Sequence, residues 1–357
     1  MSCNTGKCAL LIFLTVILSA PVIAQQVGTD TRREAIPLDP VDAILDLFDS
    51  YSIVALGEGH HTNWQGATFR LLLVRDPRFS QIVNDIVVEF GTSRYQDIMD
   101  RYISGEMVLT DSVRLCWRET TQPVIWDAPI YEEFFRAVRT LNRSLPIERR
   151  LRILLADPPI DWSIINSREE LEQWYYDHMP ERSWGKVNAR DGHAVDVVER
   201  EVLAKGRKAL AIFGDAHFNR AELPQPMTGF MGAYFKGNFV QQLERMYPGS
   251  VFCITSIINA DSIEIKHPEI LSWPKPSLIF LKNTAIGSLK TFGPFKLEET
   301  HDALLWVGLN NSHSYSSAMP EIVENEEYYL EALRRDSLWI KQYQDDLRKL
   351  RSDFLGK

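Results

Sequence analysis

A chain of 357 residues, 45% apolar and 24% charged, has the composition of a globular protein with one large domain or two small ones, not of a disordered or collagen-like one. Its 48 acidic residues outnumber 39 basic ones, for a formal charge of −9. That total argues against a nucleic-acid binder, which carries a basic domain, and against a protein that adheres to anionic membranes. It is compatible with an enzyme acting on a small-molecule substrate.

The chain opens like an export signal. Lys7 precedes the apolar run Ala9–Leu18, and Val22-Ile23-Ala24 offers small residues before a cut at Gln25. Residues 1–24 therefore read as a signal peptide, and the mature protein is expected to be secreted or periplasmic. No later run reaches the roughly 18 apolar residues of a membrane span, so no membrane attachment is expected after signal removal. Cys3 and Cys8 would leave with the signal. Cys116 and Cys253 remain, which suits two buried thiols better than a disulfide framework.

Residues 25–37 are polar and patternless, and read as a linker to a single domain over 38–357. Asp39-Pro40 marks a helix start, with an acid at the cap and proline at the first turn. Short apolar runs then alternate with longer amphipathic ones. Strands are expected at Ser52–Leu56, Ile86–Val88, Leu151–Ala156, Lys208–Phe213, Val251–Ile257, Leu278–Leu281 and Ala303–Val307. Helices are expected at Trp64–Val74, Arg94–Ile103, Pro129–Leu145, Glu169–Tyr176 and Val187–Lys205, the last closed by Gly206. This alternation implies a three-layer α/β/α fold around a mainly parallel sheet. A long charged helix over Glu327–Phe354 is added at the C-terminus. Leu333, Ile340, Leu347 and Phe354 recur on it every seven residues, a stripe suited to packing on its own domain or to a homodimer.

Several catalytic signatures are missing. The sequence has no Gly-x-Ser-x-Gly elbow, no Walker loop and no His-Glu-x-x-His. Gly57-Glu58-Gly59 follows a strand, but Thr62 stands where a dinucleotide fingerprint needs its third glycine. What the chain does have is a set of charged strand ends. One run finishes in Glu58, His60 and His61, a second in Glu89, a third in Asp157, and a fourth in Asp215 and His217. Parallel strands place their C-termini on one edge, where α/β proteins bind ligands, so these groups should converge. A lone acid after a strand is often only a helix cap, but four together are a poor fit to capping. Carboxylates beside imidazoles make a general-base site, and the same groups can ligate a divalent metal. Arg70 and Arg190 are the cations expected to offset the crowded acids. His193, one helical turn from Arg190, could face the same cleft, and Trp162 and Trp184 could line a pocket.

Leu56-Gly57-Glu58-Gly59-His60-His61, with Arg70 nine positions later, resembles the opening motif of the erythromycin esterase-like family. Val88-Glu89-Phe90 resembles its second, carboxylate-bearing strand end. Trp126, Phe134-Phe135, Asp157, Arg190-Asp191 and Gly214-Asp215-Ala216-His217 are similar to its later motifs. The resemblance spans about residues 40–220 and implies a hydrolase that cleaves an ester or lactone without a cofactor. It places Glu58, His61, Arg70, Glu89 and His217 at active-site positions. The same superfamily contains ChaN-like haem-binding proteins and Tiki-type metalloproteases, which imply haem or a divalent metal as alternatives. Gly214 stands where the esterases have another histidine, and His60 fits the ChaN-like spacing while His61 fits the esterase spacing. The candidate site is thus Glu58, His60, His61, Arg70, Glu89, Arg190, Asp215 and His217.

Overall fold

The structure is a computed structural model and describes residues 32–178, 186–222, 237–256, 268–292, 294–309, 312–339 and 341–356. The expected signal segment and Trp184 lie outside them. Arg33–Lys357 forms one compact unit. Its strands are β1 (Ile53–Gly57), β2 (Asp85–Thr92), β3 (Arg152–Asp157), β4 (Ala209–Phe213), β5 (Val251–Thr255), β6 (Ser277–Phe280), β7 (Lys290–Phe292), β8 (Phe295–Lys296) and β9 (Ala303–Trp306). The main helices are α1 (Pro40–Leu47), α2 (Trp64–Arg75), α3 (Gln96–Ser104), α4 (Thr110–Arg118), α5 (Pro129–Ser144), α6 (Arg168–Asp177), α7 (Lys186–Glu201), α8 (Phe239–Met246), α9 (Glu326–Trp339) and α10 (Lys341–Leu355).

Seven strands form one sheet in the order β3-β2-β4-β1-β5-β9-β6, parallel except for the edge strand β6, which runs against β9. β7 and β8 make a separate two-stranded ribbon. Side chains alternate across the sheet, and each set meets its own helices. Val54, Leu56, Ile86, Val88, Phe90, Leu210 and Ile212 pack against α1–α5 on one face. Ile53, Ala55, Val87, Ala209, Ala211 and Phe213 pack against α7 and α8 on the other. This is the expected three-layer α/β fold. Residues 33–38 are not wholly linker: Arg33 and Leu38 bridge to Thr284 and Leu278 at the β6 end of the sheet. A paired backbone there blunts an otherwise open edge.

The single C-terminal helix is corrected to two. α9 and α10 fold back on one another: Arg351 of α10 reaches Glu326 at the start of α9 and lies 4.1 Å from the Tyr329 ring centroid. Leu347 is buried with Ile322, Val323, Tyr329 and Ala332. The seven-residue stripe therefore does not form one continuous face. Leu333 and Leu347 meet within the hairpin, Phe354 is exposed, and Ile340 lies outside the described residues.

Candidate active site

Sheet register decides where the charged groups emerge. Gly57 of β1 is level with Phe213 of β4, and Val88 of β2 is level with Ile212, so Glu58, Glu89 and Gly214 leave the same edge together. Alternation then sends the two glutamates to opposite faces. Glu58 follows Leu56 by two positions and sits on the α2/α5 side, whereas Glu89 follows Val87 and sits on the α7 side. The β2–β3 ladder also shifts register between Val88 and Thr92, a local irregularity of the kind that re-aims side chains beside active sites. None of the strand-end acids caps a helix. Asn63 caps α2 instead, accepting from Gly66 N at 2.7 Å.

On the first face, Glu58 is 1% exposed. Its Oε2 faces His61 Nδ1 at 3.0 Å and accepts from Tyr131 Oη at 3.5 Å, while Oε1 pairs with Arg70 Nη1 at 3.1 Å. Arg70 is thus a buried partner of Glu58 and not a solvated helix residue. The Tyr131 phenol is pushed well above its usual pKa, first by burial and then by Glu58, so it stays a donor. His61 keeps 37% of its side chain exposed and packs edge-on against Trp126 with centroids 4.5 Å apart. Burial opposes its charge, but the bond to Glu58 and the Glu58 and Glu89 charges raise its pKa. The loop is held in this form by Asn63 Nδ2, which donates to the carbonyls of Glu58 at 2.6 Å and His60 at 2.5 Å. Thr62 adopts φ +64°, a left-handed conformation uncommon for a β-branched residue.

On the second face, Glu89 is 2% exposed and saturated. Its Oε1 meets Arg190 Nη2 at 2.9 Å and His217 Nε2 at 3.1 Å, and Oε2 accepts from Gly214 N at 2.8 Å. Burial works against its charge, yet His217 and Arg190 hold the carboxyl well below its usual range. Arg190 Nε also binds Asp157 Oδ1 at 2.9 Å, and both Asp157 oxygens accept from Thr121 at 2.6 Å. His217 Nδ1 bonds Asp191. Burial alone would depress this imidazole, but Asp191 and Glu89 raise its pKa to about 10. His217 is therefore an imidazolium at neutral pH. Asp191, Thr121 and Tyr131 complete the cluster, although sequence reasoning did not place them in it. Asp191 was legible as the neighbour of Arg190; Thr121 and Tyr131 carry no local signal.

Gly214 lies between the two groups. A Cβ built there would stand 3.1 Å from His61 Cε1 and 3.6 Å from Glu89 Oε2, so a larger residue would crowd the histidine. Asp215 does not join the cluster. Its oxygens accept from Gly59 N, Thr255 Oγ1 and Ser256 N, tying the β1, β4 and β5 ends together. It approaches β1 so closely that a Cβ on Gly57 would overlap its carboxylate at 2.5–2.8 Å. His60 is exposed, its ring edge-on to Tyr315 at 6.5 Å. His193 faces Ser93 Oγ at 2.8 Å instead of the cluster. Trp162 is a core residue, 1% exposed and donating to Thr120 O at 2.9 Å.

Haem or a divalent metal would need an imidazole nitrogen free to ligate. Both ring nitrogens of His217 face carboxylates, exposed His60 packs edge-on against Tyr315, and His61 has Nδ1 on Glu58 and Nε2 available. Among the described residues, no group of three or more His, Cys, Asp or Glu is arranged to hold an ion.

No family model matches the sequence, and no curated protein matches it. Solved structures do. A protein described as a succinoglycan biosynthesis protein is similar over 79% of this chain and 95% of its own, with a TM-score of 0.58 and 10% identity. A Bacillus cereus protein is similar over 80% and 97%, with a TM-score of 0.54 and 12% identity. The erythromycin esterase EreC, in its open conformation, is similar over 77% and 94%, with a TM-score of 0.51 and 13% identity. The chain has the fold of the erythromycin esterase.

Proposed function

We propose that the protein is an exported hydrolase of the erythromycin esterase-like type, in which His61 activates water to cleave an ester or lactone. The observation that carries this reading is the pair His61–Glu58. With Nδ1–H donated to Glu58, the neutral ring presents Nε2 as an acceptor on a partly exposed side chain, the arrangement of an oriented general base. His61 takes a proton from water as the oxygen attacks the acyl carbon. The imidazolium so formed is flanked by Glu58 and by Glu89, which Arg190 and His217 keep ionised. When the tetrahedral intermediate collapses, His61 returns the proton to the departing alkoxide oxygen. The products are a carboxylic acid and an alcohol, or a hydroxy acid from a lactone.

The test is turnover of a panel of small esters and lactones by wild type and His61→Ala. Loss of a positioned base should cost about 10²–10⁴-fold in rate with the fold intact by circular dichroism. Undiminished activity in His61→Ala would sink the proposal. So would activity that vanishes with a chelator and returns only with added metal.

A further inference from the structure

We infer that the end of the sheet opposite the candidate site is a docking surface for an anionic lipid bilayer. Parallel strands that gather the acids at their C-terminal edge put the α3–α4 loop and the segment between α5 and β3 at the other edge, on the β3 side. These two pieces interlock: Asn142 Nδ2 donates to Ile103 O at 3.2 Å, Arg139 Nη2 to Gly105 O at 3.0 Å, and Arg150 Nη1 to Ser104 O at 3.3 Å.

The surface so formed is basic in a chain whose total charge is −9. Among the described residues Arg139, Arg143, Arg149 and Arg150 have no carboxylate partner; Arg139 and Arg150 use their guanidinium groups on backbone carbonyls. Of the nearby acids, Glu106 is already taken by Arg101 at 2.9 Å, which leaves Glu148 and Asp111 against four arginines. Apolar side chains stand out from the same two segments. Met107 is 94% exposed, Leu109 78% and Ile147 74%, values that make them unusually bare for large hydrophobic residues. Cations beside protruding aliphatic side chains match a bilayer surface, where headgroups meet the guanidinium groups and the side chains enter the acyl boundary. The three protruding residues include no aromatic ring for stacking bases, which disfavours a single-stranded nucleic acid. No described helix is long and apolar enough to cross a membrane, so the contact is peripheral. Docked this way, the C-terminal edge of the sheet faces away from the lipid.

The test is flotation of the full chain with phosphatidylcholine vesicles, with and without phosphatidylglycerol. Binding is expected only to the phosphatidylglycerol vesicles and should fall as salt is raised. The double variant Arg143→Ala/Arg149→Ala should weaken it by about five-fold per arginine, the equivalent of ~1 kcal/mol for each cation at an anionic surface. Met107→Ser/Leu109→Ser should weaken it as well while leaving the circular dichroism melt unchanged. Absence of binding, equal binding to both vesicles, or indifference to the serine pair would overturn the inference. Equally tight binding to a polynucleotide that ignores Met107 and Leu109 would assign the arginines to a polyanion instead.

Discussion

His61 and His217 occupy the same sheet edge but carry opposite charge states, and each residue's neighbours explain which. His61 has one carboxylate in contact and a partly open ring, so it can cycle between base and acid. Burial alone would lower its pKa, but the bond to Glu58 and the Glu58 and Glu89 charges together raise it above the usual imidazole value, which moves the acid limb of a rate profile upward. Glu58→Gln removes the charge that raises it. The variant should lose activity, and its remaining activity should show an acid limb at lower pH than wild type. A purely structural Glu58 would change the rate without moving the limb. His217 instead serves as a fixed cation. Its folded pKa of about 10 exceeds the unfolded value near 6.5, so its contribution to stability is complete below about pH 6.5 and is lost as pH rises toward 10. Urea midpoints should therefore fall between pH 7 and 10, and His217→Gln should flatten that fall. An identical slope in the variant would show that the proton is bound elsewhere. Glu89→Gln would leave Arg190 and His217 buried with half their compensation. Breaking such a pair costs about 3–5 kcal/mol, so a large drop in the unfolding midpoint is expected beside the loss of activity.

Among the elements, the C-terminal hairpin is the one whose placement bears on the site. Arg335 of α9 donates to Glu119 at 2.8 Å and to Glu331 at 2.6 Å, and its guanidinium lies 5.5 Å from the Trp162 ring centroid. Arg118, at the end of α4, stacks on Tyr328 at 4.5 Å and holds Asp127 at 3.0 Å. These contacts grip both ends of residues 119–127, the stretch that supplies Thr121 to Asp157 and Trp126 to His61. Arg335→Ala should lower stability by about 1.5–3 kcal/mol, the range for hydrogen bonds to charged groups, readable as a shift in urea midpoint. It should also reduce kcat more than KM, because Thr121 and Trp126 would lose their support. An unchanged kcat in a destabilised variant would confine the hairpin to stability. How legible each element was follows from its own chemistry. α1 announced itself through Asp39 and Pro40, and Asp39 does accept from Val41 N and Asp42 N at 3.0 Å. α4 carries no such signal, because Leu109 precedes it and offers no capping side chain. α8 carried a readable signal, the Asn238/Gln241 capping box, that the strand-helix alternation did not draw out. The break between α9 and α10 is a tertiary choice: heptad spacing is equally consistent with one long seam and with two short helices that close on each other.

At the scale of the whole molecule, sequence reasoning reached the layers and the converging strand ends because apolar periodicity and parallel topology are local rules with a global consequence. It could not choose between His60 and His61, since that depends on the left-handed Thr62 and on the grip of Asn63 across the loop. It also counted Asp215 among the site residues, because a strand-end acid that staples three strands looks the same in sequence as one that faces substrate. The sheet separates two cores that share only its strands, and each contains one free cysteine: Cys116 lies with the α1–α5 face and Cys253 with the α7–α8 face. Burial pushes the Cys116 thiol up to about 12 and the Cys253 thiol higher still, so neither is a reactive thiolate in the native protein. Alkylation must wait for unfolding. If both faces depend on one sheet, they should open together, as a single cooperative unit does. Iodoacetamide labelling followed by peptide mass mapping should then show Cys116 and Cys253 becoming reactive at the same urea concentration, and that concentration should match the loss of circular dichroism. Labelling of one cysteine well before the other would mean that a helical layer detaches while the sheet survives, and the two cores would have to be treated as separate folding units.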